Sequence, residues 1–171
     1  MKLSTYMAAA EAAAATGERT GRGMVLALDC SMPASDAASA SEPGDYAIVG
    51  PHIETVGASL SATTVDKSYI YEGESTLKTG TKRSFAVTGQ LLRGDEFHDF
   101  VVSHAIKYGV GSDVQRKYVY FDRGTKKGET GIVTIVVNKD GSGAANDPGD
   151  IDVTLSVVGT PEEYNYSESL S

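Results

Sequence analysis

Apolar and polar residues alternate along residues 151–158, and this pattern constrains the fold more than any other in the chain. The apolar positions are Ile151, Val153, Leu155 and Val157. The polar positions between them are Asp152, Thr154 and Ser156. Because successive side chains of a strand point to opposite faces, the pattern predicts a strand with one buried face and one face of hydroxyl and acid groups.

The rest of the chain also favours β structure. Its 171 residues suit one domain, and 19 Gly, 9 Tyr and no Trp accompany many Thr, Ser and Val. Further strands are predicted near residues 24–28, 53–65, 84–92, 117–121 and 131–137, with a single helix among them. We therefore predict a mainly β fold, a β-sandwich or partly closed barrel with one flanking α-helix at about residues 95–108.

The predicted helix has an apolar face and defined ends. Asp95 and Glu96 stand in its first turn, where the helix dipole favours acidic residues, and Gly109 stops it. The residues that share one face at helical spacing are Phe97, Phe100, Val101, His104, Ala105 and Tyr108. This face is expected to pack on the sheet, with His104 at its edge and His98 in solvent.

Residues 65–84 form a polar segment between two apolar runs. This segment is too long for a hairpin turn. Unstructured connections beyond about 12–15 residues are usually functional or disordered. The side chains suited to contact are Tyr69, Ile70 and Tyr71. The acidic residues Asp66, Glu72 and Glu74 precede the basic residues Lys78, Lys82 and Arg83. We predict a long extended arm at about residues 65–84 that contacts a partner.

No pattern in the chain indicates a catalytic, cofactor or metal site. The three histidines lack metal-ligand spacing, the Asp- and Gly-rich stretch 138–150 lacks the calcium-loop spacing, and no nucleophile stands in a recognisable motif. Cys30 is the only cysteine, so it is read as a buried apolar residue in a reducing compartment. The basic residues Arg116, Lys117, Arg123, Lys126 and Lys127 are read as a solvated or subunit-facing turn.

Charge and composition also divide the chain. We expect an Ala-rich segment at residues 1–23 with a short helix ending at Gly17, a β domain at 24–160 and a flexible acidic tail at 161–171. No apolar run is long enough to span a membrane. The net charge is −8, so the overall field of the protein does not attract phosphate backbones.

The order of these segments resembles the major tail protein of long-tailed, non-contractile phages, the subunit of the tail tube. Thr64, Asp66, Tyr69 and Gly73 match that family's loop pattern. The returning strand at 83–92, the helix at 94–108 and the closing strands at 117–160 follow in the family's order. The resemblance covers residues 53–160.

The resemblance implies a structural, non-enzymatic protein without a cofactor. Hexameric rings of this family stack head to tail into a virion tail, assembled in the host cytoplasm, through which DNA passes without specific binding. The implied partners are further copies of the chain and tape-measure, tail terminator and tail tip proteins. On this interpretation the arm residues form an inter-subunit contact, and Asp152, Thr154 and Ser156 face the lumen.

Other functions remain compatible with the sequence. The fold of this family resembles that of type VI secretion and contractile-tail tube proteins, so a tube subunit of such a machine is one alternative. A monomeric β-sandwich that binds a ligand through the arm and the loop at residues 138–150 is another. An enzyme is the least supported class.

Overall fold

The computed structural model describes residues 1–9, 23–30 and 43–167. These residues form one antiparallel sheet of seven strands with three short helices and two 3₁₀ turns. The strands are β1 Met24–Leu28, β2 Ala47–Ile48, β3 Ile53–Tyr69, β4 Gly73–Gln90, β5 Gln115–Asp122, β6 Lys127–Ser142 and β7 Asp150–Asn165. The helices are α1 Leu3–Ala9, α2 Glu96–Val101 and α3 His104–Tyr108.

The sheet curves back toward itself without closing. Its strand order is β2-β1-β5-β6-β7-β4-β3, so β2 and β3 are the two edges. These edge strands are also consecutive in the chain, since β2 ends at Ile48 and β3 begins at Ile53. Among the described strands they are not hydrogen-bonded to each other. The mainly β prediction is confirmed, in the form of a single unclosed sheet.

The main core lies between one face of the sheet and helices α2 and α3. All four apolar residues of the alternating stretch in β7 are buried there, as predicted. Phe85 of β4 is fully buried, and its ring meets those of Tyr118 and Tyr120 edge-on at 5.4 and 4.9 Å between centroids. From the helices, Phe97, Val101 and Ile106 complete this core.

The predicted helix at 95–108 is divided in two. Asp95 caps α2 by accepting a hydrogen bond from the Phe97 N–H, but Val102 and Ser103 interrupt the helix before α3. The interruption changes the direction of the buried face. Phe97 and Val101 are buried as predicted, whereas the expectation for His104, Ala105 and Tyr108 is wrong because all three are exposed.

His98 is buried, which corrects the expectation that it is solvated. Its Nε2 lies 2.7 Å from the Pro51 carbonyl oxygen, and its Nδ1 lies 3.4 Å from the Leu92 N–H. These two neighbours belong to the loops before β3 and after β4. His98 therefore joins α2 to the base of the β3–β4 hairpin through backbone groups that no sequence pattern identifies.

A second core covers the opposite face of the sheet at the β1–β5 end. Leu3 and Met7 of α1 pack there against Phe121 of β5. Strand β7 continues to Asn165, and the Tyr166 ring stacks on Phe121 with 5.3 Å between centroids. The expectation of a frayed tail from residue 161 is thus wrong for 161–166, because β6 pairs with this part of β7. Gly17 and residues 168–171 lie outside the described residues.

Candidate assembly surfaces

The predicted arm is the outer part of a long β-hairpin. Strands β3 and β4 pair from Ile53–Gly89 to Tyr69–Gly73, with a register shift after Thr63. Strand β4 pairs with β7 only from Ser84 onward. Residues 60–82 consequently form a two-stranded ribbon that extends beyond the sheet, with no described strand beside either edge. The segment is extended as predicted, but it is a paired β-hairpin with a three-residue turn instead of a loop.

Three residues, Ile70–Glu72, connect the two strands of the ribbon and form its tip. Ile70 is 94% exposed and Tyr71 is 98% exposed. Gly73, which follows, has a φ of +78°, a backbone conformation that glycine adopts without strain. The turn therefore requires Gly73, and it does not require two large apolar side chains at its end. Burying these two side chains against another molecule would stabilise the complex by removing their apolar area from water.

The charged side chains of the ribbon are almost all available to another molecule. Glu72, Glu74, Lys78 and Lys82 are exposed, and the described residues offer none of them an ion pair. Asp66 is the exception among the acids, since its Oδ1 accepts a hydrogen bond of 2.7 Å from the Thr76 hydroxyl across the ribbon. The predicted acidic and basic ends are both present, and they do not neutralise each other.

Arg83 has a different environment from the other predicted arm residues. Its Nε donates to Glu129 Oε1 at 2.8 Å, and its guanidinium lies about 5 Å from the ring centres of Phe85 and Tyr120. The Tyr118 hydroxyl donates to the same carboxylate oxygen at 3.3 Å, and burial and that carboxylate raise the pKa of Tyr118. Arg83 therefore fixes the base of the ribbon to β6 within the subunit.

Replacing Arg83 is expected to weaken the fold. The Arg83→Ala variant leaves the half-buried Glu129 without its cation, so we expect a loss of about 1–3 kcal/mol in the free energy of unfolding. Lys82→Ala is the matched control, because Lys82 is exposed and adjacent; its change should stay within about 0.5 kcal/mol. Urea unfolding followed by circular dichroism measures both. If both variants lose the same free energy of unfolding, the Arg83–Glu129 ion pair contributes nothing to stability.

The three residues predicted to face a lumen lie on the face of the sheet opposite the main core. Backbone pairing aligns Ser156 with Thr134 on one side and with Ser84 on the other. Ser84 Oγ is in turn 2.8 Å from Ser59 Oγ of β3. A continuous row of uncharged polar side chains thus crosses five strands: Gln115, Thr134, Ser156, Ser84 and Ser59. We call the face that carries this row the hydroxyl face.

Asp152 and Thr154 extend the hydroxyl face toward the β6–β7 turn. The side-chain amide of Asn138 donates to Asp152 Oδ1 at 3.2 Å and to Thr154 Oγ1 at 3.0 Å. Asn138 occupies a register shift between β6 and β7, which brings its side chain over both residues. These contacts hold a carboxylate and a hydroxyl in fixed positions at the surface.

A cleft of about 1110 Å³ lies where the two edges of the sheet fail to close. Its walls come from β1, the β2–β3 connection and the first residues of β3, and they include Met24, Leu26, Val49, Ile53 and Val56. Its polar groups are Tyr6, Glu54, Thr55, Tyr120 and Arg123. The sequence does not reveal this cleft, because it results from an edge-to-edge gap between strands.

The basic residues near the β5–β6 turn do not form one patch. Arg116 is buried, with its guanidinium 5.1 Å from the centre of the Phe100 ring, and burial lowers its pKa. Arg123 lines the cleft, where its Nη1 lies 3.3 Å from the Tyr6 hydroxyl. The predicted cluster is therefore divided: Arg116 lies in the core and Arg123 in the cleft, whereas Lys126 and Lys127 are exposed at the turn as predicted.

Cys30 is largely buried at the end of β1. Its thiol lies 3.7 Å from the Leu28 carbonyl oxygen, and burial raises its pKa to about 12. A thiol with that pKa is almost entirely protonated at neutral pH and reacts slowly. Across residues 1–9, 23–30 and 43–167, no three His, Cys, Asp or Glu side chains are grouped to hold a metal ion. No described helix is long and apolar enough to cross a membrane.

Solved structures of tail components share this fold. The tail of an empty GTA particle, determined with C6 symmetry, has a TM-score of 0.57 at 14% identity, covering 88% of this chain and 100% of that chain. The virion of a native gene transfer agent (GTA) particle has a TM-score of 0.53 at 12% identity, covering 86% of this chain and 99% of that chain. The SPP1 tail tube has a TM-score of 0.60 at 16% identity, covering 90% of this chain and 83% of that chain.

Comparisons of sequence identify no relative. No protein-family model matches the chain, and no curated protein matches it. The likeness to the solved structures extends over most of each chain, and it is a likeness of fold.

Proposed function

We propose that this chain is a structural tail tube protein whose copies form hexameric rings, stacked into the channel through which DNA passes from a phage capsid to the host. The observation that carries the proposal is that one subunit has both a long exposed ribbon and a sheet face crossed by a row of uncharged polar side chains, on a fold shared with tail structures. The C6 symmetry of the GTA tail supports rings of six. The protein would reside in the virion tail.

The ribbon is the proposed contact between subunits. Its exposed acidic and basic side chains have no ion-pair partners within the described chain, and charge pairs across an interface fix register and partner choice. The proposed contact residues are Asp66, Tyr69, Tyr71, Glu72, Glu74, Lys78 and Lys82. A free two-stranded ribbon is only marginally stable in water, so contact with a neighbour would also stabilise the ribbon itself.

The hydroxyl face is the proposed wall of the lumen. Lysine and arginine bind nucleic acid by neutralising phosphates, so a channel for moving DNA requires a surface without such groups. The row from Gln115 to Ser59 is uncharged, and Asp152 adds a carboxylate that repels phosphates. In this arrangement Asp152, Thr154 and Ser156 face DNA that passes without being held.

The proposed role requires no catalysis and no cofactor. The chain would act through self-association and through contacts at the ends of the tube with tape-measure, tail terminator and tail tip proteins. These partners follow from the proposed position in the tail, where a tube must have its length set and both ends joined to other structures.

Electron microscopy of the purified protein tests the proposal. We expect rings or tubes with sixfold symmetry in end views at concentrations in the micromolar range. A protein that stays monomeric in sedimentation and shows no rings at any attainable concentration would refute self-assembly into a tube.

Chemical labelling tests which face lines the channel. A Thr154→Cys variant in a Cys30→Ser background should react with a small maleimide in both tubes and dispersed subunits. A polyethylene-glycol maleimide too large for the channel should react only with dispersed subunits, because Thr154 faces the lumen. Mass shifts on a denaturing gel measure the labelling. If the large reagent labels assembled tubes as fast as dispersed subunits, the hydroxyl face is on the outside.

A further inference from the structure

The tip of the ribbon has the chemistry of an anchor for a protein pocket. Ile70 and Tyr71 project almost fully into solvent, and the turn does not require them. Buried aromatic side chains at the centre of an interface commonly carry most of its binding energy. Glu72, the third residue of the tip, adds a negative charge without a partner among the described residues.

The cleft between the sheet edges offers matching chemistry. Its volume of about 1110 Å³ exceeds the roughly 300–1000 Å³ typical of small-molecule pockets, so it has room for two large side chains. Arg123 has no carboxylate within ion-pair distance in the described part of the chain, and its buried Nε has no acceptor there. A smaller adjoining hollow adds the exposed Lys127. Glu54 also lines the cleft, where its Oε1 accepts a hydrogen bond of 3.4 Å from the Gln90 side-chain amide. The apolar wall and the positive charges of Arg123 and Lys127 match the apolar, acidic tip.

The tip and the cleft lie at opposite ends of the same strand. The cleft includes Ile53 to Val56 at the start of β3, and the tip follows Tyr69 at its end. At about 3.3 Å per residue, the thirteen residues from Val56 to Tyr69 separate them by roughly 40 Å. The tip cannot fold back into its own cleft along a continuous strand. It can reach the cleft of a second copy displaced along the strand direction.

We propose that the ribbon tip of one subunit docks into the cleft of a second copy in the adjacent ring. Ile70 and Tyr71 lie against the apolar wall formed by residues such as Val49 and Val56, and the Glu72 carboxylate faces the Arg123 guanidinium. The contact uses two different surfaces of one chain, so it repeats head to tail without closing on itself. This inference rests on the proposed function, since it names the contact by which one ring holds the next.

Cross-linking between two single-cysteine proteins tests the docking. Both carry Cys30→Ser; one adds Glu72→Cys beside the tip anchors, and the other adds Thr55→Cys in the cleft. Mixed before assembly and treated with a short bismaleimide, they should give a covalent dimer in tubes and none among dispersed subunits. The matched control pairs Glu72→Cys with Ser156→Cys on the hydroxyl face, and it should give less than about a tenth of that product.

The outcomes separate this proposal from the one it rests on. Tubes without the Glu72–Thr55 cross-link overturn the docking and leave the tube function standing, because the cleft then receives another segment or another protein. Equal cross-linking of the control pair also overturns it. Failure of every variant and of the native protein to form tubes overturns both. As a second measurement, Ile70→Ser with Tyr71→Ser should raise the concentration needed for assembly at least about tenfold without changing the subunit's circular dichroism.

Discussion

Removing the outer part of the ribbon is expected to abolish tube formation and to leave the folded body unchanged. Replacing residues 64–79 by Asn-Gly joins Thr63 to Gly80, which already face each other in the hairpin, through a two-residue turn of favoured sequence. Interface anchors each contribute about 2 kcal/mol or more. Losing the tip and its charges should therefore raise the assembly concentration at least about 100-fold.

The same deletion should have little effect on subunit stability. The side chains of residues 64–79 are mostly exposed and make no contact with either core, so the free energy of unfolding should change by less than about 0.5 kcal/mol. Sedimentation and electron microscopy measure assembly, and urea unfolding measures stability. Lys67→Ala with Ser75→Ala is the control, because it keeps the ribbon and its tip. If the shortened chain forms tubes at the concentration at which the native protein does, the ribbon is not required for assembly.

Replacing Phe85 by alanine is expected to be the most destabilising single change in the core. The Phe85 ring is fully buried, lies against the rings of Tyr118 and Tyr120, and supports the Arg83 guanidinium. Phe→Ala changes in protein cores cost about 3–5 kcal/mol. For a chain of this size that corresponds to a fall of roughly 10 °C in Tm.

The measurement should be made in the background of the shortened ribbon, where assembly does not add to apparent stability. Ala86→Ser is the matched control, because the neighbouring side chain is exposed on the opposite face of β4. We expect its effect to stay within about 0.5 kcal/mol. A loss below about 1 kcal/mol for Phe85→Ala would contradict the central position assigned to this ring. Together the two experiments separate the residues that fold the subunit from those that join subunits.

The strands with one apolar face are the part of the fold that sequence reasoning predicts well. In β7, alternation alone identifies both the residues of the core and the opposite polar face, because burial follows the two-residue period of a strand. Helix α2 is equally predictable from its acidic first turn and from Phe97 and Val101. The resemblance to tail tube proteins depends on the order of these elements, and the solved structures share that fold.

The ribbon shows where sequence patterns fail. Its strands bury neither face, so they lack the apolar alternation that marks a half-buried strand, and their Ser, Thr and Lys residues are typical of loops as well. Backbone hydrogen bonds between β3 and β4, propagated from the buried base of the hairpin, determine the pairing. The break between α2 and α3 was likewise unpredictable, since Val102 and Ser103 are both compatible with a helix.

The sequence by itself determined the class of fold, the buried face of the sheet and the chemical character of the ribbon, because these depend on residues close together in the chain. Only the tertiary structure decided that Arg83 binds Glu129, that His98 joins α2 to the hairpin base and that residues 161–166 are held by β6 and Phe121. It also decided the cleft, which arises because β2 and β3 meet as edges without pairing. Each of these depends on contacts between residues distant in sequence, and local patterns carry no information about them.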